Sequence, residues 1–147
     1  VDGKRVAALT AFNAAYIGAF LHYLYRVFPP IVIRIGRVAR VPALRDTSTV
    51  AHALGCALVD NVHNGSIYIP VYFLTVGLLE GRSLEASQAN LRNEWWATYT
   101  SVSAFWIPYS WANFALVPAH GRVRVMAFGN FVWAVVVDWL AHRGGVR

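Results

Sequence analysis

The stretch FWIPYSWANFALVPAHGRVRV, Phe105 to Val125, is apolar and aromatic, yet it holds two prolines, an isolated Asn113 and two arginines just past its apolar end. A transmembrane helix accommodates that order. Pro108 frees the carbonyl of Ala104, and the hydroxyl of Ser101, Ser103 or Ser110 can satisfy it, so the helix kinks and survives. Asn113 carries donors and acceptors that lipid cannot satisfy, so it must face a neighbouring helix. Pro118 ends the span, and Arg122 and Arg124 land at the headgroup boundary.

The rest of the chain agrees. It is 147 residues long, 57% hydrophobic and only 14% charged, against roughly 25% charged in soluble domains. Asp, Glu, Lys and Arg are missing from Val6–Tyr25, Asn61–Leu79 and Trp95–Gly121, and Val125–Leu140 contains only Asp138. About 20 such residues cross a bilayer core of about 30 Å. The expected fold is all-α: a single integral membrane domain, residues 1–147, a multi-pass bundle of four spanning helices (about 6–25, 50–79, 95–117 and 123–140) plus a short interfacial helix over Gly81–Glu94. Ser83 is placed to cap that short helix, with Glu85 in its first turn. Trp95, Trp96 and Tyr99 follow as an aromatic belt at headgroup depth.

The first span carries Ala7, Ala11, Ala15 and Ala19 at four-residue spacing, with Ala14 and Gly18 on the next row. Small residues let helix backbones approach closely in lipid, so Ala11, Ala15, Gly18 and Ala19 are expected to form a packing surface. Nothing resembling a cleavage site follows this segment, so it is not a secretory signal. The sequence begins without Met, which suits either removal of a presequence or a missing start.

Much of the net charge of +6 lies in one connector, where Arg26, Arg34, Arg37, Arg40 and Arg45 face a single acid, Asp46. They are interleaved with Ile31, Val32, Ile33, Ile35 and Val38, which reads as a segment lying in the membrane interface and not as a nucleic-acid arm. Arg34, Arg37, Arg40, Arg122 and Arg124 are therefore expected at anionic headgroups, each worth about 1 kcal/mol near such a surface.

Thr47–Leu79 is too long for one straight span and is expected to start outside the core or to break at Asn64–Gly65. Within it Asp60 and His63 are three residues apart and can pair across a turn, and His52 lies more than two turns from Asp60. A polar patch facing other helices is favoured over a metal site. The lone Cys56 excludes an internal disulfide framework and packs as a small hydrophobe.

Trp106, Asn113, Phe114, Val117, Pro118 and Arg122 fall in register with W-P-x-x-Q-x-x-N-F-x-x-V-P-x-x-x-R, a signature of the small integral membrane proteins named after Mpv-seventeen and the twenty-two-kilodalton peroxisomal membrane protein. The chain resembles that family along nearly its whole length. Asp2, Arg5, Gly18, His22 and Tyr25 are similar to the family's opening, and Trp133, Trp139 and Ala141-His142-Arg143 to its closing segment. The resemblance implies that the family's first helix is absent here. It also exposes departures: Asn64 and Gly65 stand at the family's D-Q, with Asp60 one turn earlier; Ser110 replaces Gln; Ile107 separates Trp106 from Pro108; Ala19, Leu24 and Val137-Asp138 also differ.

No nucleophile and base occur at a recognisable spacing, no glycine-rich phosphate loop is present and the five histidines are scattered, so no catalytic, cofactor or metal site is expected. Two functions compete. The family is described as forming pores or moving metabolites in inner mitochondrial or peroxisomal membranes, and a channel would set Asp60, His63, Asn64 and Asn113 along a wet path. Packing residues persist here while polar ones are thinned, which favours a structural or accessory subunit of a larger inner-membrane assembly. The expected partners are membrane lipids and other membrane subunits, with bound phospholipid, cardiolipin included, as the only small-molecule companion.

Overall fold

A computed structural model describes Phe12, Ala15, Tyr16 and residues 20–143, and among these the chain is all-helical. Helix α1 runs Leu21–Val38, a 3-10 turn covers Pro42–Leu44, α2 runs Val50–His63, a π turn Asn64–Tyr68 leads into α3 at Ile69–Leu79, α4 runs Leu84–Leu116 and α5 runs Arg122–Arg143. Both α2 and α3 pack against α4, with α1 against α2 and α5 against α4 and α1. Tyr25, Phe28 and Val32 of α1, Ala53 and Cys56 of α2, Val102, Trp106 and Phe114 of α4 and Met126 of α5 meet in one core.

The arginine connector is helical over much of its length. Arg26, Arg34 and Arg37 lie on α1, which passes through Pro29 and Pro30 as helix and does not stop at Tyr25. Its amphipathic pattern explains the extension, because Tyr25, Phe28, Val32 and Gly36 fall on one buried face while the arginines stay exposed. Arg40 then adopts φ 56°, a left-handed conformation that costs a residue with a Cβ about 1 kcal/mol or more. Thr49 accepts the N–H of His52 and so starts α2.

The segment over residues 50–79 does not break at Asn64–Gly65. Val50–Leu79 is one helical stretch, long and apolar enough by composition to cross a membrane, the single one among the described residues. At Asn64–Gly65 the helix widens into the π turn, where the Ile69 N–H reaches the Asn64 carbonyl. Pro70 follows immediately and has no N–H to give. The Gly65 carbonyl therefore lacks a helical donor, and Trp95 Nε1 donates to it across the bundle at 2.9 Å.

The separate interfacial helix is corrected. Ser83 does cap a helix, accepting the Ala86 N–H at 3.1 Å, but that helix is α4 itself, continuous for 33 residues. No Gly or Pro occurs between Leu84 and Pro108, so nothing ends the first part before the apolar part begins. At its far end Val117 is extended, at φ −103° and ψ 127°, as the residue before a proline prefers.

Of the expected packing row, Ala11, Gly18 and Ala19 lie outside the described residues, and Ala15 is exposed.

Candidate functional site, a polar seam between helices

Two buried polar residues of α2, Asp60 and Asn61, bond to α4. Ser110 Oγ donates to Asp60 Oδ2 at 2.7 Å. Asn61 Nδ2 donates to the Tyr99 hydroxyl at 2.7 Å, and Ser103 Oγ donates to Asn61 Oδ1 at 2.8 Å. With Trp95 on Gly65, these bonds tie four residues of α4 spread over four turns to the α2–α3 rod. In lipid such bonds are worth about 0.6 kcal/mol each on average and up to about 2, and they fix register where apolar packing alone tolerates sliding.

The expected Asp60–His63 pair does not form. Asp60 turns to Ser110, and His63 Nε2 lies 2.6 Å from the Tyr16 hydroxyl, because three residues of helix set the two side chains toward different neighbours. His63 Nδ1 is buried with no partner among the described residues. The serines expected to serve the Ala104 carbonyl are used elsewhere, Ser101 on the Ala97 carbonyl and Ser103 and Ser110 across the seam. Two of the three belt aromatics are seam residues: the Trp95 and Tyr99 rings stack at 5.1 Å, while Trp96 is 66% exposed. His52 closes the connector. A carbonyl can only accept, so Nδ1 donates to Leu44 at 2.8 Å, and Nε2 faces the buried Cys56 thiol at 3.5 Å.

Beside the seam lies a cavity of about 70 Å³, lined by Tyr16, Asp60, Asn64, Tyr68, Val102, Trp106, Met126, Asn130 and Trp133. Asp60 and Asn64 of the expected wet path reach it; His63 and Asn113 do not. It has space for a few waters and not for a metabolite, whose sites are about 300 Å³ or larger. Sequence reading missed Asn61, Ser103, Tyr99 and Asn130. The signal for Asn61 was present, since an Asn in a charge-free apolar run needs a partner as much as Asn113 does.

The second half of the site is the corner between α4 and α5, where the signature residues meet. Asn113 Nδ2 donates to the Arg122 carbonyl at 3.1 Å. Arg122 Nε donates to the Val117 carbonyl at 3.0 Å and Nη2 to the Phe114 carbonyl at 3.3 Å, with the guanidinium 5.0 Å over the Phe114 ring. Tyr109 donates to the Val125 carbonyl at 2.5 Å. Arg122 thus caps the free carbonyls at the end of α4, and Arg124 is exposed. Arg122→Ala is expected to lower stability by about 1.5 kcal/mol, the scale of bonds from a charged donor. Arg122→Lys should recover only part, since a point charge cannot reproduce the planar fork. Thermal unfolding of the detergent-solubilised variants measures both.

A helical rod of membrane-crossing length, pinned to its neighbour by buried interhelical hydrogen bonds, fits the class of helical integral membrane proteins. Comparison with known proteins makes the class particular. The family model described as Mpv17 / PMP22 family matches residues 77–137, from the end of α3 through the corner. Protein SYM1 of Eremothecium gossypii is 29% identical over 89 residues, 60% of this chain and 49% of that protein. Mitochondrial inner membrane protein Mpv17 of Caenorhabditis briggsae is 25% identical over 142 residues, 97% of this chain and 70% of that protein, and the Mus musculus protein of the same name is 29% identical over 96 residues, 65% and 54%. These matches support membership of the Mpv17 / PMP22 family and a place in the mitochondrial inner membrane. It spans about half the length of the SYM1 proteins it matches. No solved structure matches.

Proposed function

We infer that this chain is a non-catalytic, four-span membrane bundle that serves as a structural or accessory subunit of a larger inner-membrane assembly. One observation carries the reading: the polar side chains of α2 that could line a path are spent on α4, as Asp60 on Ser110 and Asn61 on Tyr99 and Ser103. The exposed Ala15 is consistent with it, since a small residue on an outer helix face suits close approach of a neighbouring subunit. In this reading the later half of α4, from Trp95, and α5 cross the bilayer beside Val50–Leu79, and the first span leads into α1.

The rival is a small-solute channel, favoured by the meeting of Asp60, Asn64 and Asn130 at one cavity. Reconstitution of the pure chain in planar bilayers separates the two. The expected result is silence, with Asp60→Asn and Asn113→Ala variants losing co-purification with a multi-subunit complex. Reproducible unitary currents that change with either substitution would install the channel instead. Ala15→Leu is expected to weaken recovery of the complex on a native gel by an overpacking cost of about 1–3 kcal/mol, and unchanged recovery counts against Ala15 as a contact.

A further inference from the structure

Arg40 is the one described non-glycine residue with a positive φ, and it stands where α1 stops. The Val41 N–H reaches the Gly36 carbonyl at 2.9 Å and the Arg40 N–H the Arg37 carbonyl at 3.4 Å. That paired closure ends many helices, and it ordinarily puts glycine at the position Arg40 fills. A strained backbone retained where glycine would relax it points to use of the side chain.

The surroundings say what the use is. Arg34, Arg37, Arg40 and Arg45 are all exposed, with Arg34 and Arg37 one turn apart on α1. The nearest acid in sequence, Asp46, is already engaged: its Oδ1 accepts from the Ser48 N–H at 2.9 Å and the Ser48 hydroxyl at 2.7 Å. Among the described residues no carboxylate forms an ion pair with the four arginines. Between them Ile35, Val38 and Val41 are exposed, Val38 at 81%. The corner is also built and not loose. A Cβ on Gly36 would meet Leu44 Cβ at 2.8 Å, Thr49 Oγ1 donates to the Ala43 carbonyl at 2.5 Å, and His52 holds Leu44.

A soluble phosphate would engage the guanidinium groups and leave the three apolar side chains in water. A phospholipid satisfies both, its phosphate taking charge-assisted bonds while its acyl chains cover Ile35, Val38 and Val41. We propose that the corner from Arg34 to Arg45 docks an anionic phospholipid, with Arg40 held in its strained conformation to reach the headgroup phosphate. The proposal rests on the membrane location and is independent of whether the chain is a subunit or a channel.

The test is native mass spectrometry of the full chain in detergent, titrated with cardiolipin, with phosphatidylcholine of the same acyl chains, and with inorganic pyrophosphate. Cardiolipin is expected to remain bound and phosphatidylcholine to leave. Arg40→Gly should weaken cardiolipin about five-fold, the scale of one basic residue at an anionic surface, while the melting temperature holds or rises because glycine relaxes the turn. Adding Arg34→Gln and Arg37→Gln should bring the loss to about twenty-fold or more, and Arg92→Gln, exposed on α4, should change nothing. Undiminished cardiolipin binding by Arg40→Gly and the triple variant would overturn the proposal, as would equal binding of phosphatidylcholine. Pyrophosphate binding as tightly as cardiolipin would make the ligand a soluble phosphate and overturn it as well.

Discussion

Trp106→Ala is expected to lower the stability of the protein by about 3–5 kcal/mol, the cost of deleting a buried tryptophan and leaving its cavity. Trp106 is 7% exposed and belongs to the core that joins α1, α2, α4 and α5. Its ring meets Phe105 at 5.1 Å and 88° and Tyr109 at 5.6 Å and 84°, both edge to face. Lipid removes the hydrophobic drive between helices, but those van der Waals contacts remain and a cavity forfeits them. Tyr109 also holds the Val125 carbonyl, so the loss should spread to the α4–α5 corner. Denaturant unfolding in micelles measures it, with Trp106→Phe expected to lose less than half as much. A Trp106→Ala variant as stable as the parent would remove this residue from the centre of the fold.

Gly65→Leu is expected to cost about 3 kcal/mol, the upper end of ordinary overpacking, through a clash with one aromatic ring. A Cβ at Gly65 would lie 2.6 Å from Tyr99 Cε2. Tyr99 cannot swing away freely, since Trp95 stacks on it at 5.1 Å and Asn61 donates to its hydroxyl. The substitution therefore dismantles the seam as well as forcing the helices apart. Tyr99→Ala in the same chain supplies the control: it removes the obstacle, so Gly65→Leu should cost clearly less in that background than alone. Equal costs in both backgrounds would place the obstruction elsewhere.

Two of the departures from the family pattern meet in space. Asp60 stands one turn before the position where the family has its carboxylate, and Ser110 replaces the family's Gln; in the structure Ser110 donates to Asp60. The displaced carboxylate and the shortened polar side chain make one buried hydrogen bond between α2 and α4. Read residue by residue, they looked like lost polar positions, because a sequence displays each change separately and does not display the contact.

What the sequence determined by itself was the all-helical class, the family resemblance, the Ser83 cap and the stop at Pro118. Each of these is local: a charge-free run, a cap three residues from its donor, a proline that constrains the residue before it. What only the tertiary structure decided was where the polar groups go. Asn113 was bound to need a partner, but that the partner is the Arg122 carbonyl, and that Arg122 turns back onto Phe114 and Val117 instead of outward, depends on how α5 folds against α4. Asp60 chose Ser110 over a His63 only three residues away because helix packing, and not sequence distance, sets which groups face each other. The π turn is of the same kind: Pro70 announces a missing donor, but the Gly65 carbonyl becomes a bonding site only once Trp95, 30 residues later, is brought beside it.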